Sequence, residues 1–286
     1  MQADPSQPPP AQAAGGSVVA LWRYPVKSMM GEELNAAAVT ERGLIGDRRF
    51  AVVDAATGKV AGAKNPRKWG NFFDFRASYL EPPRIGSTLP GVRVTLPDGT
   101  IATSEQPDLS RVLSRAFGRE VALAQTGQNG ESSTATAEEY WPDLEGLDFR
   151  DTVTDFDLPP GTFFDLALVH LLTTATIDRL RTLYPAGRFE ARRFRPNIVV
   201  STGPDDEGVV ENEWIGHTIA IGDEVRLRVT GGCPRCVMTT LQQGDLPKDT
   251  GILRAAAQHN QTNVGVYADV IATGTVRRGD PIVLMD

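Results

Sequence analysis

Sulfur is scarce in this chain. Two cysteines among 286 residues exclude a disulfide-stapled scaffold and are too few for an iron–sulfur cluster. The three histidines, His170, His217 and His259, stand singly, so a structural zinc site lacks the second pair of ligands it takes. Positive charge is also short: the formal net charge of -7 argues against a nucleic-acid-binding surface. No apolar run approaches the roughly 20 residues of a membrane span. There is no Gly-x-Gly-x-x-Gly fingerprint, no Walker loop and no internal repeat. Residues 1–16, rich in Pro, Gln and Ala, lack the basic-then-apolar order of a signal peptide. They read as a disordered tail, and the expected location is cytoplasmic, with no membrane association.

What sulfur there is has one address, Gly231-Gly232-Cys233-Pro234-Arg235-Cys236. Just before it, Glu224 to Thr230 alternates polar side chains with Val225, Leu227 and Val229, the period of a half-buried strand. The thiols are therefore expected where a strand breaks into a Gly-Gly turn. A redox dithiol would normally open a helix in a βαβ unit, whereas Val237-Met238-Thr239-Thr240 makes a poor first turn. One thiolate on a soft metal, with Arg235 favouring its deprotonated form, is a second reading. Two buried cysteines without chemistry are a third, and the motif alone does not choose among them.

A hydrophobic content of 41% is that of a globular protein with room for two cores. The fold class expected is mainly β with some α, in two domains. The first, 17–125, is mostly β: a strand at Ser17–Trp22, another at Phe50–Val53 returning as a hairpin through Lys59–Ala63, and Val92–Leu96. Its one helix, Asp108–Phe117, carries Leu109, Val112, Leu113, Ala116 and Phe117 on one face and stops at Gly118. Residues 126–150 read as a linker or acidic loop. The second domain, 151–286, opens with apolar Phe163–Leu172 and a helix near Ala175–Tyr184. Strands follow at Ile198–Ser201, His217–Ile221, Glu224–Thr230, Val264–Val270 and Ile282–Leu284, the makings of a β-barrel with few helices.

Several distant stretches resemble one family. Tyr24-Pro25-Val26-Lys27-Ser28, Gly43-Leu44-Ile45-Gly46-Asp47-Arg48-Arg49-Phe50, Phe194-Arg195-Pro196-Asn197, Cys233-Pro234-Arg235-Cys236-Val237-Met238-Thr239-Thr240 and Gly279-Asp280-Pro281 are similar, in order and spacing, to the two-domain MOSC proteins. These combine an N-terminal MOSC β-barrel domain with a C-terminal MOSC barrel, as in the mitochondrial amidoxime-reducing component and its bacterial relatives. The resemblance spans nearly the whole chain after residue 16.

It implies a molybdenum–molybdopterin cofactor lying between the two domains, with Cys236 as thiolate ligand and Cys233 as a neighbour. Lys27, Ser28, Arg48, Arg195, Asn197 and Arg235 supply the cations and donors that a pterin phosphate needs, and Thr173, at the start of a predicted helix, adds a hydroxyl or backbone donor. Arg235 would also act beside Cys236 in catalysis by stabilising negative charge. Pro234 departs from the family's usual small polar residue and removes a backbone donor. The activity implied is reduction of N-hydroxylated or N-oxide substrates, two electrons and two protons yielding the amine or amidine and water. The electrons come from a separate donor protein, for which the acidic segment Glu138–Asp151 is a candidate docking surface. The alternative is a non-catalytic carrier of sulfur or of the assembled cofactor.

Overall fold

Residues 16–126, 134–143, 150–203 and 206–285 are described by the computed structural model. From the N-terminal side come β1 (Gly16–Arg23), β2 (Glu32–Leu34), β3 (Ala36–Thr40), β4 (Gly43–Leu44), β5 (Phe50–Asp54), β6 (Arg76–Tyr79), β7 (Val92–Thr95) and β8 (Ile101–Thr103). Helix α1 (Leu109–Phe117), β9 (Val121–Gln125), β10 (Thr136–Trp141) and β11 (Thr152–Asp157) follow. The remainder holds β12 (Val169–Thr173), α2 (Thr174–Leu183), α3 (Ala191–Phe194), β13 (Ile198–Ser201), β14 (Thr218–Ile221) and β15 (Val225–Pro234). It ends with α4 (Gly251–Asn260), β16 (Asn263–Ala272), β17 (Gly274–Arg277) and β18 (Pro281–Met285).

Seven strands close into a barrel in the order β13-β12-β16-β15-β14-β18-β1, with β1 returning to pair with β13 and β2 added outside β1. The protein is mainly β, as its alternating strands predict. The two halves of the sequence interlock. Val18, Leu21, Val39 and Leu44 pack in the barrel core with Val169, Ile198, Leu227 and Val266. Conversely, Val237, Met238 and Leu241, just after the cysteine motif, pack with Val26, Phe50, Phe72 and Phe75. No helix among the described residues is long and apolar enough to cross a membrane.

Helix α1 forms where its apolar face predicts, burying Leu109 and Leu113 and ending in left-handed Gly118, whose N–H reaches the carbonyls of Ser114 and Arg115. The hairpin expected to return through Lys59–Ala63 forms: Val53 bridges Val60, flanked by the Asp54 N–H to the Lys59 carbonyl at 2.9 Å and the Ala61 N–H to the Val52 carbonyl at 2.8 Å. β5 also pairs along its length with β9, a long-range partner that local pattern does not show. Other expectations need correction. The strand through Leu227 does not stop at Gly231. β15 runs on to Pro234, with register shifts against β16 between Val229 and Gly231 and between Gly232 and Pro234. The glycines serve as bulge positions in a continuing strand. Helix α4 was not expected, although Ile252, Leu253, Ala255 and Ala256 form its buried face. Of the expected tail, 1–16, residues 1–15 lie outside the described residues, and Gly16 opens β1.

The acidic segment is not a loop throughout. Its first part is β10, paired with β11 from Thr136 opposite Asp157 to Trp141 opposite Thr152. Glu138 accepts from Asn65, Lys59 and Lys68, and Glu139 from Lys64. Those two carboxylates are committed within the fold. Asp143 and Asp151 pair with Arg150 and Arg67, and Glu145 and Asp148 lie outside the described residues.

Candidate functional site

Chain segments 24–28 and 47–50 are zipped together before any side chain acts. The Arg48 N–H donates to the Tyr24 carbonyl at 2.8 Å, Lys27 N–H to the Phe50 carbonyl at 2.8 Å, and Phe50 N–H to the Pro25 carbonyl at 3.0 Å. Buried Asp47 ties both halves of the chain. Its carboxylate accepts from the Tyr24 N–H at 2.7 Å, from Asn197 Nδ2 at 3.0 Å, and from the guanidinium of Arg48. Arg195 arrives from the end of α3 and lays its guanidinium 4.1 Å from the Tyr24 ring centroid, with that of Arg48 at 4.9 Å from the same centroid.

The result is a narrow recess bordered by Lys27, Ser28, Arg48, Arg195, Asn197 and Arg235, together with Asp165, His170, Met238 and Tyr267. Six of the residues expected in a binding site therefore converge. Not all have donors to spare. Lys27 Nζ donates to the Phe163 carbonyl at 2.8 Å and to Asp165, and Ser28 Oγ accepts from the Ala63 N–H at 3.1 Å. Asn197 is fully engaged. Its Oδ1 accepts from the His170 N–H at 3.1 Å and its Nδ2 donates to Asp47 and Trp22, so it latches β12 to the first half of the chain. Arg195 Nη1 donates to the Met29 carbonyl at 2.7 Å, while Arg195 Nη2 and Arg235 Nε are buried with no partner. Two orphaned cationic donors at one cavity mark a place for an anion.

The electrostatics agree. Burial lowers the proton affinity of Arg195 to about 10, with Arg48 adding to the effect and Tyr24 opposing it. Burial likewise depresses Lys27 against the pull of Asp165. Asp165 itself is held well below the ordinary carboxylate range, burial being outweighed by Lys27 and Lys64. Backbone strain collects here too. Six non-glycine residues have positive φ among those described, and Ser28, Arg48, Arg195, Gln261 and Thr262 all border this recess or the cleft beside it. Each left-handed residue costs roughly 1–2 kcal/mol, a cost found most often where function holds the backbone in place. Behind the recess, Gly265 at φ 81° lets β16 approach β12, since a Cβ there would meet His170 Nε2 and the Leu171 carbonyl.

Cys236 stands in a wider cleft of about 1240 Å³ that shares Asp165, Leu166, Arg235, Met238 and Tyr267 with the recess. Lys64 lines it, 3.3 Å from Glu139 and 3.7 Å from Asp165. Trp141 closes one side, and Arg254, Ala257 and Gln258 of α4 another. Burial outweighs Arg235, which favours the thiolate of Cys236 as its charge implies. It pushes the thiol up to about 11, although Lys64 and Arg235 pull the other way. Arg235 is turned to Cys233 instead, its Nη1 donating to that fully buried sulfur. After Cys236, residues Val237–Thr240 make a single 3-10 turn.

Thr173 is not brought to either cavity. Its Oγ1 accepts from the Thr176 N–H at 3.1 Å as N-cap of α2 and donates to Glu211 Oε2 at 2.6 Å. Its helix starts as predicted, but the cap spends its hydroxyl on the fold. Residues not anticipated as site-forming are Tyr24, Asp47, Lys64, Asp165 and Tyr267. Tyr24 and Asp47 lie within the resembling stretches and could have been read there. Asp165 carries no local signal, because its partner Lys27 is 138 positions away.

The recess with its unpartnered cationic donors thus opens beside the partly exposed thiol of Cys236. The MOSC domain model matches residues 161–283, and the MOSC N-terminal beta barrel domain model matches residues 15–69. This chain is a MOSC domain protein. The MOSC chain is 24% identical to mitochondrial amidoxime reducing component 2 of Homo sapiens, over 94% of its own length and 84% of that protein. It is also 24% identical to the molybdenum cofactor sulfurase of Homo sapiens, over 92% of its length but 32% of that longer protein. Among solved structures it is similar to YUAD of Bacillus subtilis, at 13% identity and a TM-score of 0.47 over 94% of each chain.

Proposed function

We propose that this MOSC protein is a molybdenum-cofactor-dependent oxidoreductase that reduces N-hydroxylated or N-oxide substrates with electrons from a separate donor protein. The observation that carries the reading is the pairing of the unsatisfied donors of Arg195 and Arg235 with the exposed edge of Cys236 across one shared wall. That donor set fits a pterin cofactor, which has an anionic end for buried guanidinium groups and a soft metal for a thiolate. Arg195, Arg235 and Arg48 would hold the phosphate end, and Cys236 would ligate the metal. When bound, the cofactor supplies two-electron exchange with the oxygen of an N–O bond.

The chain's own residues do the rest. Tyr24 and Asp47 fix the planes of Arg48 and Arg195, so the anion meets preorganised donors. Cys236, whose proton burial favours, would give up that proton on ligating the metal, so cofactor capture would be proton-linked. Arg235, anchored on Cys233, keeps a positive charge between recess and cleft. The cleft is large enough for substrates of drug-like size, and Leu166, Leu253 and Met238 give it apolar walls.

The test is elemental analysis of the purified protein, fluorescence of the released oxidised pterin, and reduction of N-hydroxybenzamidine with reduced viologen. One molybdenum per chain with turnover supports the reductase. Substoichiometric metal and no turnover would instead point to a carrier of cofactor or sulfur, the role suggested by likeness to the sulfurase.

A further inference from the structure

The helix that delivers Arg195 also carries a buried arginine with no part in the proposed chemistry. Arg193 of α3 is fully buried, and its guanidinium is met by backbone carbonyls. Nε donates to Arg188 at 3.2 Å, Nη1 to Thr239 and Leu241 at 3.0 Å each, and Nη2 to Pro247 at 3.1 Å. Gln243, also fully buried, adds Nε2 contacts of 3.3 Å to the carbonyls of Met238 and Arg193. The carbonyls of Thr239 and Leu241, in and just after the turn leaving Cys236, are therefore gripped from α3, and Gln243 ties that of Met238 to the Arg193 carbonyl. Two residues further on, Arg195 takes up left-handed φ 57° and enters the recess. A planar fork of five donors can serve several divergent carbonyls at once, which a lysine cannot.

We infer that Arg193 is a positioning residue that sets the Cys236 thiol at a fixed place relative to Arg195, by clamping the turn after Cys236 to the helix that carries Arg195. The catalytic part of this inference rests on the proposed reductase. The clamp holds one end of the site against the other: α3 leads into Arg195 at the recess, and Arg193 of the same helix holds the backbone that follows the thiol. Nothing of this shows in the cysteine motif, since Arg193 lies 46 positions from Thr239.

The full-length chain is tested as Arg193→Lys and Arg193→Met. Amide hydrogen exchange of the metal-free protein should rise about tenfold or more across residues 237–241 and stay unchanged in β12 and β16. In loaded enzyme, kcat per bound molybdenum should fall about tenfold with KM within about twofold, and the thiolate-to-metal absorption band should shift, the lysine variant lying between. Should Arg193→Met fail to fold, Gln243→Leu, which removes the tie between the Arg193 and Met238 carbonyls, carries the same measurements. Unchanged exchange in the turn overturns the inference. So does a loosened turn with kcat per metal and absorption band as in the parent, because Arg193 would then serve stability alone. A parent protein without molybdenum or turnover sinks the reductase reading, whereas the exchange measurement needs neither and decides on the clamp by itself.

Discussion

Two sulfurs three residues apart have opposite surroundings. Cys233 is fully buried and receives the Arg235 guanidinium, while Cys236 reaches the cleft and is pushed up to about 11 by burial. Cys236→Ser is expected to fold and to lose molybdenum and turnover. Cys233→Ser keeps an acceptor for Arg235 and should cost about tenfold or less. Metal content and N-hydroxybenzamidine turnover of the two variants decide, and equal loss in both would favour dithiol or persulfide chemistry. His170 offers a second test at this scale. Burial holds it near 3, against an ordinary value of 6.5, with Arg235 adding to the effect. Between those values the unfolded chain binds a proton that the folded one refuses, so stability is complete above pH 6.5 and falls as pH drops toward 3. The slope approaches about 1.4 kcal/mol per pH unit from this group alone. Urea melts of the metal-free protein from pH 7 to pH 4 measure it, and His170→Gln should flatten the decline.

Among the elements, α2 separates structure from function most cleanly. Its cap, Thr173, bonds the Thr176 N–H and the buried carboxylate of Glu211, and Thr176 Oγ1 donates to the same Glu211 oxygen at 2.6 Å. A carboxylate at a helix N-terminus is favoured by the exposed amides and the helix dipole. Thr173→Ala should therefore destabilise the protein by about 1–3 kcal/mol, losing a cap and one partner of a buried acid. Molybdenum content per folded chain should remain that of the parent. A variant of normal stability that fails to bind molybdenum would return Thr173 to the site. The β10–β11 hairpin gives the complementary lesson: its first two acids hold lysines of the neighbouring segment, so their charge secures the cleft wall.

The whole molecule brings Arg48 and Arg195, 147 positions apart in sequence, against one tyrosine ring. Each charge-assisted contact to an anion contributes about 1.5–3 kcal/mol, so Arg48→Ala or Arg195→Ala should weaken cofactor retention by roughly 10–100-fold. Stability of the metal-free chain should change little for Arg195→Ala, whose partner is a backbone carbonyl, and fall for Arg48→Ala, which strips buried Asp47 of its cation. Reconstitution at limiting cofactor, followed by metal analysis beside thermal melts, reads both quantities. Full occupancy in both variants would remove these arginines from the anion site.

The sequence by itself determined the β character, helix α1 with its glycine stop, and the start of α2, because periodicity and capping are local. It also pointed to Lys27, Arg48, Arg195, Arg235 and Cys236, since residues with such chemistry stood in recognisable runs. Tertiary structure alone decided that β1 closes the barrel against β13, that β5 takes β9 as a second partner beside its hairpin return, and that the cysteine strand continues through its glycines. It decided the fate of side chains as well. Thr173 is spent on a cap, Asn197 on a latch, and Asp165 is placed between Lys27 and Lys64. Burial and long-range pairing set these outcomes. Neither the dielectric around a thiol nor a partner more than a hundred residues away is written in the local pattern.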